Sequence, residues 1–186
     1  VNIGGGATIT GGVATGSNPQ GHNLCMDGAT TTMNLYNCTV HNTSNKNANI
    51  GFDAGTLNID GATITNTGSA VVNVLTSNYA GCVAKVYIKS GTISGGTDGN
   101  IGLYEDDFCV MTGGTVKNGT SIYGSNVYLA KNGRFDLMGG TISGGVGTQK
   151  DGYGANIALQ GTSVFNMSGG TVEGGQSSGY GGNFGI

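Results

Sequence analysis

Hydrophobic positions recur in columns at a near-constant interval along the whole chain. Ile3, Leu35, Ile59, Ile88, Met111, Leu137 and Met167 occupy equivalent places in successive repeats. So do Ile9, Val40, Ile64, Ile93, Val116, Ile142 and Val172, and likewise Leu24, Ile50, Val74, Ile101, Val127, Ile157 and Phe184. Within each repeat apolar and polar residues alternate over short stretches, the pattern of half-buried strands. Two polar markers interleave with the columns. One is a threonine, at Thr8, Thr39, Thr63, Thr92, Thr115, Thr141 and Thr171; the other is an asparagine followed by an apolar residue, at Asn23, Asn49, Asn73, Asn100, Asn126, Asn156 and Asn183. The asparagines are 26, 24, 27, 26, 30 and 27 residues apart. One coil of this size cannot bury its apolar face, but coils stacked on both sides can. The pattern therefore predicts an all-β, single-domain parallel β-helix (β-solenoid) over residues 1–186, with about seven coils of 24–30 residues beginning near 22, 48, 71, 100, 125, 155 and 182. The asparagines are expected to stack as an amide ladder at one corner, with the threonines as a second ladder. About seven rungs at ~4.8 Å would make a rod roughly 34 Å long.

Composition narrows the alternatives. Gly, Asn, Thr and Ser make up 94 of 186 residues, with 39 glycines, one proline and no tryptophan. These are poor helix formers, so a helical protein is excluded. Without a Gly-X-Y period or much proline, collagen is excluded as well. The chain is 37% hydrophobic and has a net charge of −3, which permits a core and offers no basic surface for nucleic acid. No apolar run approaches membrane-spanning length. The chain begins at Val1 without a signal-peptide pattern, which reads as a processed chain or a fragment.

The phrases at 135–145, Phe-x-Leu-Met-Gly-Gly-Thr-Ile-Ser-Gly-Gly, and at 165–175, Phe-x-Met-Ser-Gly-Gly-Thr-Val-x-Gly-Gly, resemble the Gly-Gly-Thr-Ile-Ser-Gly repeats of bacterial cell-surface and adhesin-like proteins. The resemblance spans nearly all of the chain and is clearest over 86–186. It implies a right-handed β-helix of the pectate-lyase type and a cell-surface setting. It does not select among lyases, adhesins and passive stalks.

The repeat breaks at the two ends. Three residues follow Asn183 and seven precede Thr8, so the last coil and the first are open and complement each other. Neither end carries an amphipathic helix or a charged cap of the kind solenoids use. Open strand edges pair with other chains, and a head-to-tail contact of this type does not close. The expectation is a secreted, non-enzymatic subunit of an extracellular filament. It would stack on copies of itself through Val1, Asn2, Ile3 and Ile9 at one end and Asn183, Phe184 and Ile186 at the other. The runner-up is the stalk or glycan-binding β-helix domain of a larger surface adhesin, with surface glycans as partners. A lesser alternative is an ice-binding solenoid, suggested by the threonine row; His41, Lys117 and Glu173 interrupt the neighbouring outward row.

Candidate chemistry is sparse. Glu105, Asp106 and Asp107 form one acidic cluster at an expected corner, with Asp98 and Asp136 on adjacent coils. Ca²⁺ needs about six oxygen ligands, so this is a weak calcium candidate, and a solvated turn is the competing reading. Arg134 has no catalytic partner at the equivalent place on a neighbouring coil. His22 and His41 lack ligand spacing to any Cys or carboxylate and read as polar turn residues. No catalytic residue and no cofactor is expected. The four cysteines allow three pairings. Cys82–Cys109 and Cys25–Cys38 are the candidate disulfides, with a buried free thiol at Cys109 as the alternative, and an even count suits an oxidising exterior. Sequons at Asn37, Asn42, Asn118 and Asn166 match the number chance would produce.

Overall fold

The computed structural model describes residues 1–15, 21–77 and 81–186. Pro19, and residues 78–80 of the long corner expected at 76–84, lie outside the described residues. Every regular element among the described residues is a strand. The chain winds through three parallel sheets in turn, each of seven strands, so six turns separate the first rung from the last.

Sheet A contains Asn2–Gly4, Thr32–Tyr36, Gly55–Asp60, Ala84–Ile88, Phe108–Met111, Arg134–Leu137 and Val164–Met167. Sheet B contains Thr8–Thr10, Thr39–Asn42, Ala62–Asn66, Gly91–Ser94, Thr115–Lys117, Thr141–Ser143 and Thr171–Glu173. Sheet C contains Gly21–Met26, Ala48–Phe52, Val72–Thr76, Ile101–Leu103, Val127–Leu129, Ile157–Leu159 and Phe184–Gly185. A small sheet D, which the periodicity does not predict, joins Thr120–Ser121, Val146–Gly147 and Gln176–Ser177 between sheets B and C.

The three apolar columns are the register of the three sheets. Ile3 pairs with Leu35 and so on to Met167 in sheet A. Ile9 leads to Val172 in sheet B, beside a row of the seven threonines. Leu24 leads to Phe184 in sheet C. Because side chains alternate across a strand, the column residues of the interior rungs face inward and form one continuous core, half-covered at Ile3, Ile9, Leu24 and Val172 and exposed at the end members Met167 and Phe184.

The asparagine column is a hydrogen-bonded chain from the first rung to the last. Each Nδ2 donates to the Oδ1 of the next rung: Asn23 to Asn49 at 2.9 Å, Asn49 to Asn73 at 3.3 Å, Asn73 to Asn100 at 2.8 Å, Asn100 to Asn126 at 2.7 Å, Asn126 to Asn156 at 2.7 Å and Asn156 to Asn183 at 2.8 Å. The amides also clamp the turn leaving sheet B. Asn126 Oδ1 accepts the Gly119 N–H at 3.0 Å, and Asn126 Nδ2 donates to the Ser143 carbonyl of the next rung at 2.8 Å. Asn100 and Asn156 repeat this pair of contacts. The turn N–H groups of Gly96, Gly119 and Gly145, which would otherwise be orphaned, are thus satisfied.

All four cysteines are free, which corrects both candidate disulfides. Cys109 lies in a core column between Val86 and Phe135, where burial pushes its thiol well above the ordinary range, while Cys82 sits on the corner before sheet A. Cys25 is exposed on the outward row of sheet C, paired with Gly51, and Cys38 is buried at the corner between sheets A and B. The partners of each candidate pair face different ways.

Replacing Asn126 with alanine leaves the buried Gly119 N–H without its acceptor and takes one hydrogen bond from each of the Asn100 and Asn156 amides. At about 1–3 kcal/mol for an unsatisfied buried group, the loss should be about 2–3 kcal/mol. Asn34→Ala breaks a similar-looking but exposed ladder, in which Asn34 donates to Asn2 and accepts from Asn58, both at 2.7 Å; it should cost under about 1 kcal/mol. Urea denaturation of the two variants checks the contrast.

Candidate functional site

Three places were candidates for function, and the fold separates them. Val1, Asn2, Ile3 and Ile9 lie on the first rung; Asn183, Phe184 and Ile186 lie at the far end of the stack, so one chain does not bring the two groups together. Val1 is exposed and its ammonium donates to the Thr32 carbonyl at 2.8 Å. Ile186 is 93% exposed and Phe184 40% exposed, although Phe184 is the last member of a core column and packs edge-on against Phe165 at 5.4 Å. Asn183 Oδ1 accepts from Asn156 and from the Gly175 N–H. The ladder is polar: it ends in a donor amide at Asn183, while at Asn23 the carbonyl oxygen accepts the Gly12 N–H at 2.9 Å with no amide from a preceding rung.

The acidic corner splits into three. Glu105 pairs with Lys131, Asp106 accepts from Asn132 Nδ2 at 3.0 Å, and Asp107 turns inward. Asp107 is buried; its Oδ1 accepts the Ala84 N–H at 2.6 Å and its Oδ2 has no partner. Burial raises its pKa to about 6, against the opposing pull of that backbone hydrogen bond. Glu105 and Asp106 form a surface turn, as the competing reading has it, and Asp107 alone departs from that reading by facing inward. Among the described residues no group of three or more His, Cys, Asp or Glu is placed to hold a metal. Arg134 pairs within its own strand with Asp136 at 2.7 Å, holding that carboxyl below its usual range. His22 is buried within sheet C rather than in a turn, between the Ala14 N–H at 3.1 Å and the Lys46 carbonyl at 2.7 Å. His41 is on the outward row of sheet B, 2.8 Å from Thr65 Oγ1. Of the sequon asparagines, Asn42 is fully buried and hydrogen-bonded to Asn66.

The feature that column reading misses lies outside the core. A second phrase, Tyr-Gly-x-Asn, recurs at 123–126, 153–156 and 180–183, locked to the asparagine ladder. Its glycine has φ of 54°, 56° and 64°, and a Cβ there would lie 1.7–2.4 Å from a sheet C carbonyl oxygen. Only glycine accommodates this approach. The motif sets Tyr123, Tyr153 and Tyr180 one above another, with ring centroids 6.2 and 5.7 Å apart and planes within 17° and 24° of parallel. The rings flank the outward face of sheet C, whose central row is Leu75, Gly102, Tyr128, Ala158 and Gly185. Between ring stack and sheet lie two adjoining cavities of about 520 and 220 Å³, both lined by Tyr123 and Tyr128. The smaller adds Tyr104, Asp98 and Ser121; the larger adds Tyr153, Gln160 and Ser163. Ser121 donates to Asp98 at 3.5 Å, and burial raises the Asp98 carboxyl. Burial, with Tyr128 and Asp98 nearby, pushes Tyr104 up to about 12. Tyr128 donates its hydroxyl to Gln160.

No protein-family model matches the chain, nor does any curated protein or solved structure.

Asp107 generates a pH prediction. Its folded pKa of about 6 lies above the ordinary unfolded value of about 3.9. The folded chain therefore holds this proton more tightly, and the stability it contributes is present at acid pH and lost as pH rises from about 4 through 6. Two pKa units correspond to about 3 kcal/mol. Asp107→Asn should gain stability relative to the natural chain by about that amount between pH 4 and pH 7. Parallel unfolding curves for the two proteins across that range would refute it.

Proposed function

We propose that the chain is a non-enzymatic structural β-solenoid, a subunit of an extracellular filament in which copies stack head to tail. One observation carries the reading: each apolar column, and the asparagine ladder, reaches both end rungs without a change of chemistry. A rung laid on Phe184, Met167 and Val172 would meet what every interior rung meets, and Leu24, Ile3 and Ile9 of a second copy present the same types. The polarity of the ladder favours head-to-tail over head-to-head stacking, since the Asn183 amide donates where Asn23 accepts. Strand edges that stay open invite such pairing, and a translation that does not close extends into a fibre.

The extracellular setting rests on the composition and on the resemblance to surface-protein repeats, because the free thiols remove the argument from cysteine count. Further coils of a longer polypeptide would cover the same end faces if the chain were part of an adhesin stalk. The ice-binding alternative draws on the threonine row of sheet B but has His41, Lys117 and Glu173 in the adjoining row.

Electron microscopy of the purified 186-residue chain tests the proposal. Fibres one solenoid wide are expected. Phe184→Asp places a charge on the end of a core column and should abolish them while leaving the circular dichroism of the interior coils unchanged. Monodisperse short rods from the natural chain would refute self-stacking and favour the stalk.

A further inference from the structure

The tyrosine stack does nothing for the core. Tyr123, Tyr153 and Tyr180 are 44%, 45% and 60% exposed, yet the Tyr-Gly-x-Asn motif builds them three times at the same place. Their centroid separations exceed the ~3.5–4.0 Å of carbon layers in contact, so the rings are offset and part of each face stays uncovered. Tyr123 and Tyr153 wall a groove that runs along the axis past four steps of sheet C, from the rung of Leu75 to that of Ile186, roughly 19 Å at ~4.8 Å per rung.

The lining selects the occupant. It combines uncovered ring faces and aliphatic side chains such as Leu75, Ile122 and Leu159 with hydroxyl, amide and carboxyl groups at Tyr104, Tyr128, Ser121, Ser163, Gln160 and Asp98, and holds no lysine or arginine among its described residues. A phosphorylated or uronic-acid ligand would find no counter-charge, and Asp98 would repel it. An extended peptide would find a free backbone edge only at Phe184–Gly185, because the other strands under the groove are paired on both sides. An acyl chain would desolvate the hydroxyls without replacing their hydrogen bonds. A pyranose chain matches on each count: it is uncharged, its C–H faces lie against rings, and its hydroxyls donate and accept at the rim.

We infer that this axial groove is a binding site for a linear, neutral oligosaccharide, held between the tyrosine stack on one wall and Gln160 on the other. The site lies within one chain, and of its lining only Ile186 also belongs to the end face proposed to stack, so sugar binding and filament formation are read separately.

Isothermal titration calorimetry with cellohexaose, mannohexaose and xylohexaose, and with hexagalacturonate as the acidic counterpart, tests it. At least one neutral hexasaccharide should bind saturably, and hexagalacturonate should not. Tyr153→Ala should weaken that binding about tenfold, the effect of losing one aromatic contact, and Gln160→Ala on the opposite wall should weaken it also. Tyr36→Ala, on sheet A, should leave it unchanged. Absence of saturable binding by all three neutral sugars overturns the inference, as does equal or tighter binding of hexagalacturonate, or unchanged affinity in both groove variants.

Discussion

The structure depends on a buried line of amides. A parallel solenoid has a packing problem at its corners, where the chain leaves one sheet for the next and its backbone groups lose their ladder partners. At the corner between sheets B and C this chain solves the problem with one side chain per rung. Each interior asparagine accepts from the rung before and donates to the rung after, and Asn100, Asn126 and Asn156 in addition join a turn N–H to a carbonyl of the next rung. Such a network is favourable only when complete, because a half-satisfied buried amide costs more than an apolar residue. That requirement explains why asparagine stands at all seven places while the apolar columns vary freely among Ile, Val, Leu, Met and Phe.

Once rungs are joined this way, they become interchangeable. Every inward neighbour of an interior residue is a residue of the same class one coil away, so stability accumulates by nearest-neighbour contacts rather than through one closed core. The same rule leaves both end rungs with half their contacts. The exposure of Phe184 and the partial burial of Ile3, Ile9 and Leu24 follow from it directly. The proposed self-stacking would continue the folding interaction and need no separate binding chemistry.

The fold was legible because its determinants are periodic. Inward columns and corner markers recur at the coil length, so one-dimensional spacing reports three-dimensional register. What escaped is not periodic over the whole chain, or depends on direction. Cysteine spacing says nothing about facing: Cys25 is exposed on sheet C, while Cys38 is buried at the corner between sheets A and B. Asp107 stands beside Glu105 and Asp106 in sequence, but the turn sends it inward to cap Ala84. The tyrosine stack occurs in three coils only, outside the apolar pattern. Its signal is the motif Tyr-Gly-x-Asn, whose tyrosine stands three residues ahead of a ladder asparagine and so lies outside the marker of Asn with its following apolar residue.

Side-chain hydrogen exchange of the asparagine amides, resolved by NMR, tests the ladder most directly. The Nδ2 protons of Asn73, Asn100, Asn126 and Asn156 should exchange orders of magnitude more slowly than those of the partly exposed Asn34. Exchange of the interior amides at the rate of Asn34 would contradict a buried, continuous ladder and the stack built upon it.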